Sequence, residues 1–214
     1  MNAIKEYLYL LLVDSHPPCE DFHSLLMIVY QLTKVRGKKY TIKYFPHEVK
    51  DLEPAVAYLV RLRTEQNTQW ESKYMILLWL SVIILMPFDL ATIDSNYIEI
   101  TNDQGEKVHG MIETLLETSK FYLKSSTKMR EAASFFLSKM FTRPDIQKMN
   151  LLFKYISYVL DQLATLKDDQ INSFFICGLY CSLKDIFKAV ARSELLEKIA
   201  PVIVQMRNEA ANER

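Results

Sequence analysis

A row of antiparallel α-helical hairpins, all-α in class, is what this chain predicts, and three observations carry that reading. Apolar residues recur at steps of three and four along most of its length, the period of a helix with one buried face. Four glycines among 214 residues leave little turn chemistry for tight strand hairpins or for loops that cradle phosphates. Half the residues are apolar, enough for one sizeable core or an extended row of helix pairs, so 1–214 reads as a single segment.

The clearest stripe runs through Met129, Ala132, Ala133, Phe136, Leu137, Met140 and Phe141. Ser126 or Thr127 offers the cap oxygen before it, and Pro144 closes the segment. The next segment places Leu151, Leu152, Tyr155, Ile156, Val159, Leu160 and Leu163 on one face and Lys154, Asp161 and Gln162 on the other. Upstream, Met111, Ile112, Leu115, Leu116, Tyr122 and Leu123 make the stripe of a partner helix.

The same reading predicts helices near Asn2–Val13, Asp21–Arg36, Pro54–Arg63, Trp70–Met86, Ile171–Val190 and Glu194–Arg207. Gly37 stands where a helix C-terminus wants a left-handed residue. Pro54 and Pro201 suit a first helical turn, where the missing amide would go unpaired, although Pro201 could equally kink the last helix. The longest apolar run, Tyr74 to Met86, has 13 residues, where a membrane span needs about 20. It predicts a helix buried on all sides.

Consecutive helices joined by short polar loops pack antiparallel, with pairs recurring about every forty to sixty residues. That spacing is close to HEAT or armadillo units and predicts an α-solenoid, although no strict internal repeat is visible. One stretch breaks the pattern: Thr92 to Gly110 reads as a long loop with a brief strand-like piece at Tyr97–Ile100. A loop of that length is either mobile or engaged with a partner.

Charge and motifs exclude several chemistries. Lys plus Arg (26) offset Asp plus Glu (26), so no overall field draws the chain to nucleic acid or an anionic membrane. The four histidines are scattered, with no HExxH or CxxC, and no GxxxxGK[ST], GxGxxG or GxSxG occurs, so neither a metal nor a nucleotide cofactor is predicted. The three cysteines, Cys19, Cys177 and Cys181, without a secretory signal at the start, predict a reducing, cytosolic compartment. Cys177 and Cys181 share a helix face and could meet a metal or an oxidant, but Phe174, Phe175, Ile176 and Leu179 around them predict buried, inert thiols. His47 beside Glu48 is the other conceivable acid and base pair, on side chains that point apart on most backbones.

One local feature stands out. Lys34, Arg36, Lys38, Lys39 and Lys43 fall within ten residues, interleaved with Tyr40, Tyr44 and Phe45. Such a patch either docks an acidic protein surface or is a solvated helix face whose aromatics turn inward. Nucleic acid is the weaker docking choice, because the patch is small and the chain neutral.

The same stretch carries a likeness. Lys34-Val35-Arg36-Gly37, then Tyr44-Phe45-Pro46-His47-Glu48-Val49 and Asp51-Leu52-Glu53-Pro54, followed by Trp70-Glu71, Tyr74-Met75, Leu77 to Val82 and Pro87-Phe88-Asp89, resemble the tubulin-folding cofactor D family. Arg130-Glu131-Ala132-Ala133 and Phe141-Thr142-Arg143-Pro144-Asp145 continue the match, which covers roughly Leu25 to Leu163. Several motifs in the right order are more specific than any one of them.

The resemblance implies a non-enzymatic, cytoplasmic and microtubule-associated chaperone built as a helical solenoid. Such a protein captures β-tubulin, works with cofactors E and C to assemble the heterodimer and stimulate tubulin GTP hydrolysis, and is regulated by an Arf-like small GTPase. It implies no catalytic residue here, since the activating arginine belongs to cofactor C. The rival expectation is a scaffold that binds the GTPase or other proteins without handling tubulin. Because the chain is a fraction of a family member's length, its end helices would lack the stacking neighbours that cover their apolar faces, so either it is part of a longer product or the end helices fold back as caps.

Overall fold

The computed structural model describes residues 20–64, 70–88, 90, 99–101, 107–166, 173–190, 200 and 204. In chain order they form α1 (Glu20–Arg36), a single turn α2 (Lys38–Thr41), 3-10 turns at Ile42–Tyr44 and Val49–Asp51, α3 (Leu52–Thr64) and α4 (Trp70–Ile83). A strand pair follows, β1 (Glu99–Thr101) and β2 (Lys107–His109). Then come α5 (Gly110–Leu123), α6 (Met129–Met140), a short α7 (Pro144–Lys148), α8 (Leu151–Leu166) and α9 (Ser173–Ala189). The helices predicted at Asn2–Val13 and, apart from positions 200 and 204, at Glu194–Arg207 lie outside the described residues.

Helices α4, α6 and α9 form a central row, with α6 packed extensively against both of the others. Outer helices α3, α5 and α8 back α4, α6 and α9 in turn, and α1 lies along α4. The pairs are the predicted hairpins: five residues, 124–128, separate α5 from α6, too short a link for anything but an antiparallel return. The all-α solenoid expectation therefore stands, with one small strand pair added.

Position in the row explains each helix's composition. Every residue of α4 from Tyr74 to Ser81 is buried, since neighbours cover it on three sides. On α6 the predicted stripe is buried, and Ser134 and Ser138 are buried with it. The Ser134 hydroxyl lies 2.7 Å from both the Cys181 carbonyl and the Asp185 carboxylate of α9, so a small polar residue is what close packing there requires. Across the next interface, the Tyr155 hydroxyl of α8 donates to Ser182 Oγ at 2.8 Å, and Ser182 in turn donates to the Leu179 carbonyl.

Three boundaries differ from the sequence reading. Helix α4 stops at Ile83, not Met86, because its last amides switch to three-residue spacing, Leu85 to Val82 and Met86 to Ile83, ahead of Pro87. Pro144 does follow the end of α6, but it also opens α7 as its first residue. In the 92–110 segment, Glu99, Ile100 and Thr101 pair with His109, Val108 and Lys107, and Gly110 begins α5. Positions 91–98 and 102–106 lie outside the described residues.

Among the described residues, the first and last long helices keep large apolar groups in solvent, Ile28, Leu32 and Val35 on α1 and Phe174 and Tyr180 on α9. Among the described residues no helix is long and apolar enough to cross a membrane.

Candidate partner-binding surface

The basic segment begins where α1 runs out. The Gly37 amide still donates to the Thr33 carbonyl at 2.8 Å, but Gly37 itself adopts φ 85° and ψ 146°, a mirror-extended conformation that only glycine takes easily. This is not the left-handed helical cap expected there; it swings the chain across the central row instead of folding it back. Thr41 then caps the turn, its hydroxyl 3.3 Å from the Gly37 carbonyl.

Two anchors hold the segment down. Phe45, only 4% exposed, stacks on Trp79 with ring centroids 6.4 Å apart, and the Trp79 indole N–H donates to the Pro46 carbonyl at 2.9 Å. The second anchor is Lys38, whose ammonium sits 4.6 Å from the centre of the Phe135 ring on α6. Burial pulls its pKa down, while Asp185 and Glu131 favour its charge and Lys184 and Lys188 oppose it.

The five predicted cations are thereby divided. Lys34, Arg36, Lys39 and Lys43 are exposed, and Lys38 is half-buried against α6. The aromatics divide as well: Phe45 turns inward, whereas Tyr40 and Tyr44 remain 46% and 39% exposed. Tyr44 donates its hydroxyl hydrogen to the Tyr40 oxygen at 2.8 Å, and the Arg36 guanidinium lies 5.8 Å from the Tyr40 ring centre. Tyr40 and Tyr44 are functional candidates that composition alone did not separate from Phe45. Their four-residue spacing, one helical turn, was the available signal.

The two conceivable pairs fare differently: the Cys177 and Cys181 side chains lie within hydrogen-bonding reach of each other, whereas Glu48 has another partner. Glu48 is taken by Lys50 at 3.0 Å, and His47 is exposed. The expectation of buried thiols is overturned: Cys177 is exposed and Cys181 half-buried. The buried stripe of α9 is Phe175, Gly178, Leu179, Ser182, Leu183 and Ile186, which leaves both cysteines off it. Among the described residues no three His, Cys, Asp or Glu side chains converge on a metal position.

Asp51 is the unusual ionisable group of this connection. It is 2% exposed, and its Oδ2 has no hydrogen-bond partner among the described residues. Burial, then the charge of Glu48, pushes its pKa up to about 6 from 3.8, with Lys50 acting the other way. A carboxyl whose folded pKa is raised favours folding most while protonated in both states, and that contribution declines as pH rises from about 4 to about 6. Asp51→Asn is therefore expected to gain stability relative to the parent across that window, by about 1–2 kcal/mol at neutral pH. Urea unfolding midpoints at pH 4.5 and 7 check this, and an equal difference at both would contradict it.

Comparison with known proteins gives the row and its ridge a context. A family model described as tubulin-specific chaperone D-like, ARM repeat, matches residues 2–163. The chain belongs to that family. Two relatives of the chaperone D family are tubulin-folding cofactor D of Schizosaccharomyces pombe, 26% identical over 191 residues, and tubulin-specific chaperone D of Dictyostelium discoideum, 24% identical over 243. The matches cover 89% and 79% of this chain but 15% and 16% of those proteins, so the chain spans about a sixth of their length. No solved structure matches.

The blocks that carry the family likeness meet in space. Phe45-Pro46 lies on Trp79, and Arg143 of the Phe141–Asp145 block reaches the carbonyls of Ile84, Met86 and Phe88. A cleft of about 700 Å³ lies at this second junction, between Leu85–Phe88 and Thr142–Asp145. Its arginine is committed to carbonyls and to Asp145, which leaves it no role as a free acid or base.

Proposed function

We propose that this chain acts within a tubulin-folding cofactor, its helical row holding β-tubulin over a wide surface while the heterodimer is assembled. In this reading it works in the cytoplasm and on microtubules. Cofactors E and C join it to stimulate tubulin GTP hydrolysis, and an Arf-like small GTPase regulates the complex. The observation that carries the reading is the chaperone D family match along 2–163, on a fold that offers broad helical surface. Holding of that kind needs area and complementarity, which a row of helices supplies.

The test is recovery of β-tubulin from cytosol by the purified chain near physiological salt, beside a full-length relative as control. Recovery by both is the expected result. Recovery by the relative alone would assign the tubulin contacts to other parts of such proteins and end this reading for the present chain.

A further inference from the structure

We propose that the ridge of Lys34, Arg36, Lys39 and Lys43, with Tyr40 and Tyr44, binds an acidic peptide segment, a run of glutamate or aspartate side chains on a protein partner. The inference rests on the reading that the helical row holds a protein, and it names the chemistry of what this ridge would grip.

Charge supplies the first reason. The chain as a whole is neutral, yet among the described residues these four exposed cations have no carboxylate partner. The acids nearby are otherwise engaged: Glu48 pairs with Lys50, and Glu131 and Asp185 face Lys38. An unneutralised cluster on a neutral protein attracts anions at close range and selects among partners, with little long-range steering.

Hydrogen bonding supplies the second. Tyr44 donates to Tyr40, so the hydroxyl hydrogen of Tyr40 remains for an outside acceptor such as a carboxylate. The exposed rings beside it give apolar surface for the methylenes of glutamate.

Preorganisation supplies the third. Phe45 and Pro46 on Trp79, beyond the ridge's C-terminal end, and Lys38 on Phe135, near its middle, hold the ridge before any partner arrives, which lowers the ordering cost of binding. Nucleic acid fits less well. The two tyrosine rings stand 5.2 Å apart at 57° and are tied together, leaving no slot in which a base could stack between them.

The test is fluorescence anisotropy of a labelled oligoglutamate peptide titrated with the purified 214-residue chain. Binding is expected at low ionic strength and should weaken as salt is raised. The double charge reversal Lys39→Glu with Lys43→Glu should weaken it about tenfold or more, and Tyr40→Phe about threefold. Both changes fall on exposed side chains, so circular dichroism should be unaltered. No binding at low salt, unchanged binding by the double variant, or tighter binding of oligothymidylate at equal salt would each overturn the proposal. If the chain recovers β-tubulin but ignores the peptide, the ridge proposal fails and the tubulin reading stands. If it binds the peptide but recovers no β-tubulin, the tubulin reading fails while the ridge assignment survives.

Discussion

Alanine in place of Arg143 is expected to lower the unfolding free energy by about 2 kcal/mol, because it strands the buried Ile84 carbonyl and the half-buried Phe88 carbonyl and Asp145 carboxylate at once. The guanidinium is 6% exposed and donates to the Ile84, Met86 and Phe88 carbonyls, at 2.6, 3.2 and 2.5 Å. The Ile84 and Phe88 carbonyls are left without a backbone donor among the described residues because α4 has ended and the chain is turning at Pro87, while the Met86 carbonyl also accepts the Phe88 amide at 2.9 Å, so Arg143 closes the helix end from another part of the sequence. It also stacks on Phe88 and forks onto the Asp145 carboxylate. Burial alone would raise the Asp145 carboxyl, but the Arg143 hydrogen bonds and charge, with the Ile146 amide, hold it below its ordinary value. Arg143→Lys keeps the charge without the planar fork and should recover less than half of the loss. Urea unfolding at neutral pH measures both variants. A loss below about 1 kcal/mol in Arg143→Ala would mean that water replaces the guanidinium with ease.

Gly178→Ala should be destabilising by about 2 kcal/mol, against the usual preference of helices for alanine over glycine. A methyl group there would overlap the Leu123 carbonyl oxygen and come within 3.0 Å of its carbon, at the end of α5. Both atoms are backbone, so neither can rotate away, and α9 would have to lift from α5. Cys177→Ala, one residue earlier on the exposed face, is the matched control and should change little. Thermal or urea unfolding of the two variants gives the comparison. A stabilised Gly178→Ala would show that the interface yields at no cost.

Much of this architecture could be read from the chain because its information is periodic. The stripes from Met129 to Phe141 and from Leu151 to Leu163 each specify a face, and neighbouring helices exist to cover those faces. The end of α4 was misplaced by three residues because Ile84, Leu85 and Met86 continue the apolar run, while the competing carbonyl partner lies more than fifty positions away at Arg143. Long-range hydrogen bonds leave no local signature.

The cysteines show the converse error. Apolar neighbours in sequence suggested burial, but in a helix the residues three and four positions away decide the face, and Phe174 itself is exposed. The ridge was half legible: spacing located five cations and three rings, and only geometry could assign Lys38 to Phe135, Phe45 to Trp79 and the remaining tyrosines to solvent.

The central row has a mechanical meaning. Since α6 meets α4 on one side and α9 on the other, while those two do not share an extensive contact, deformation can be distributed as slight rotations over successive interfaces. Such an arrangement resembles a leaf spring, in which each joint takes only a small share of any bend.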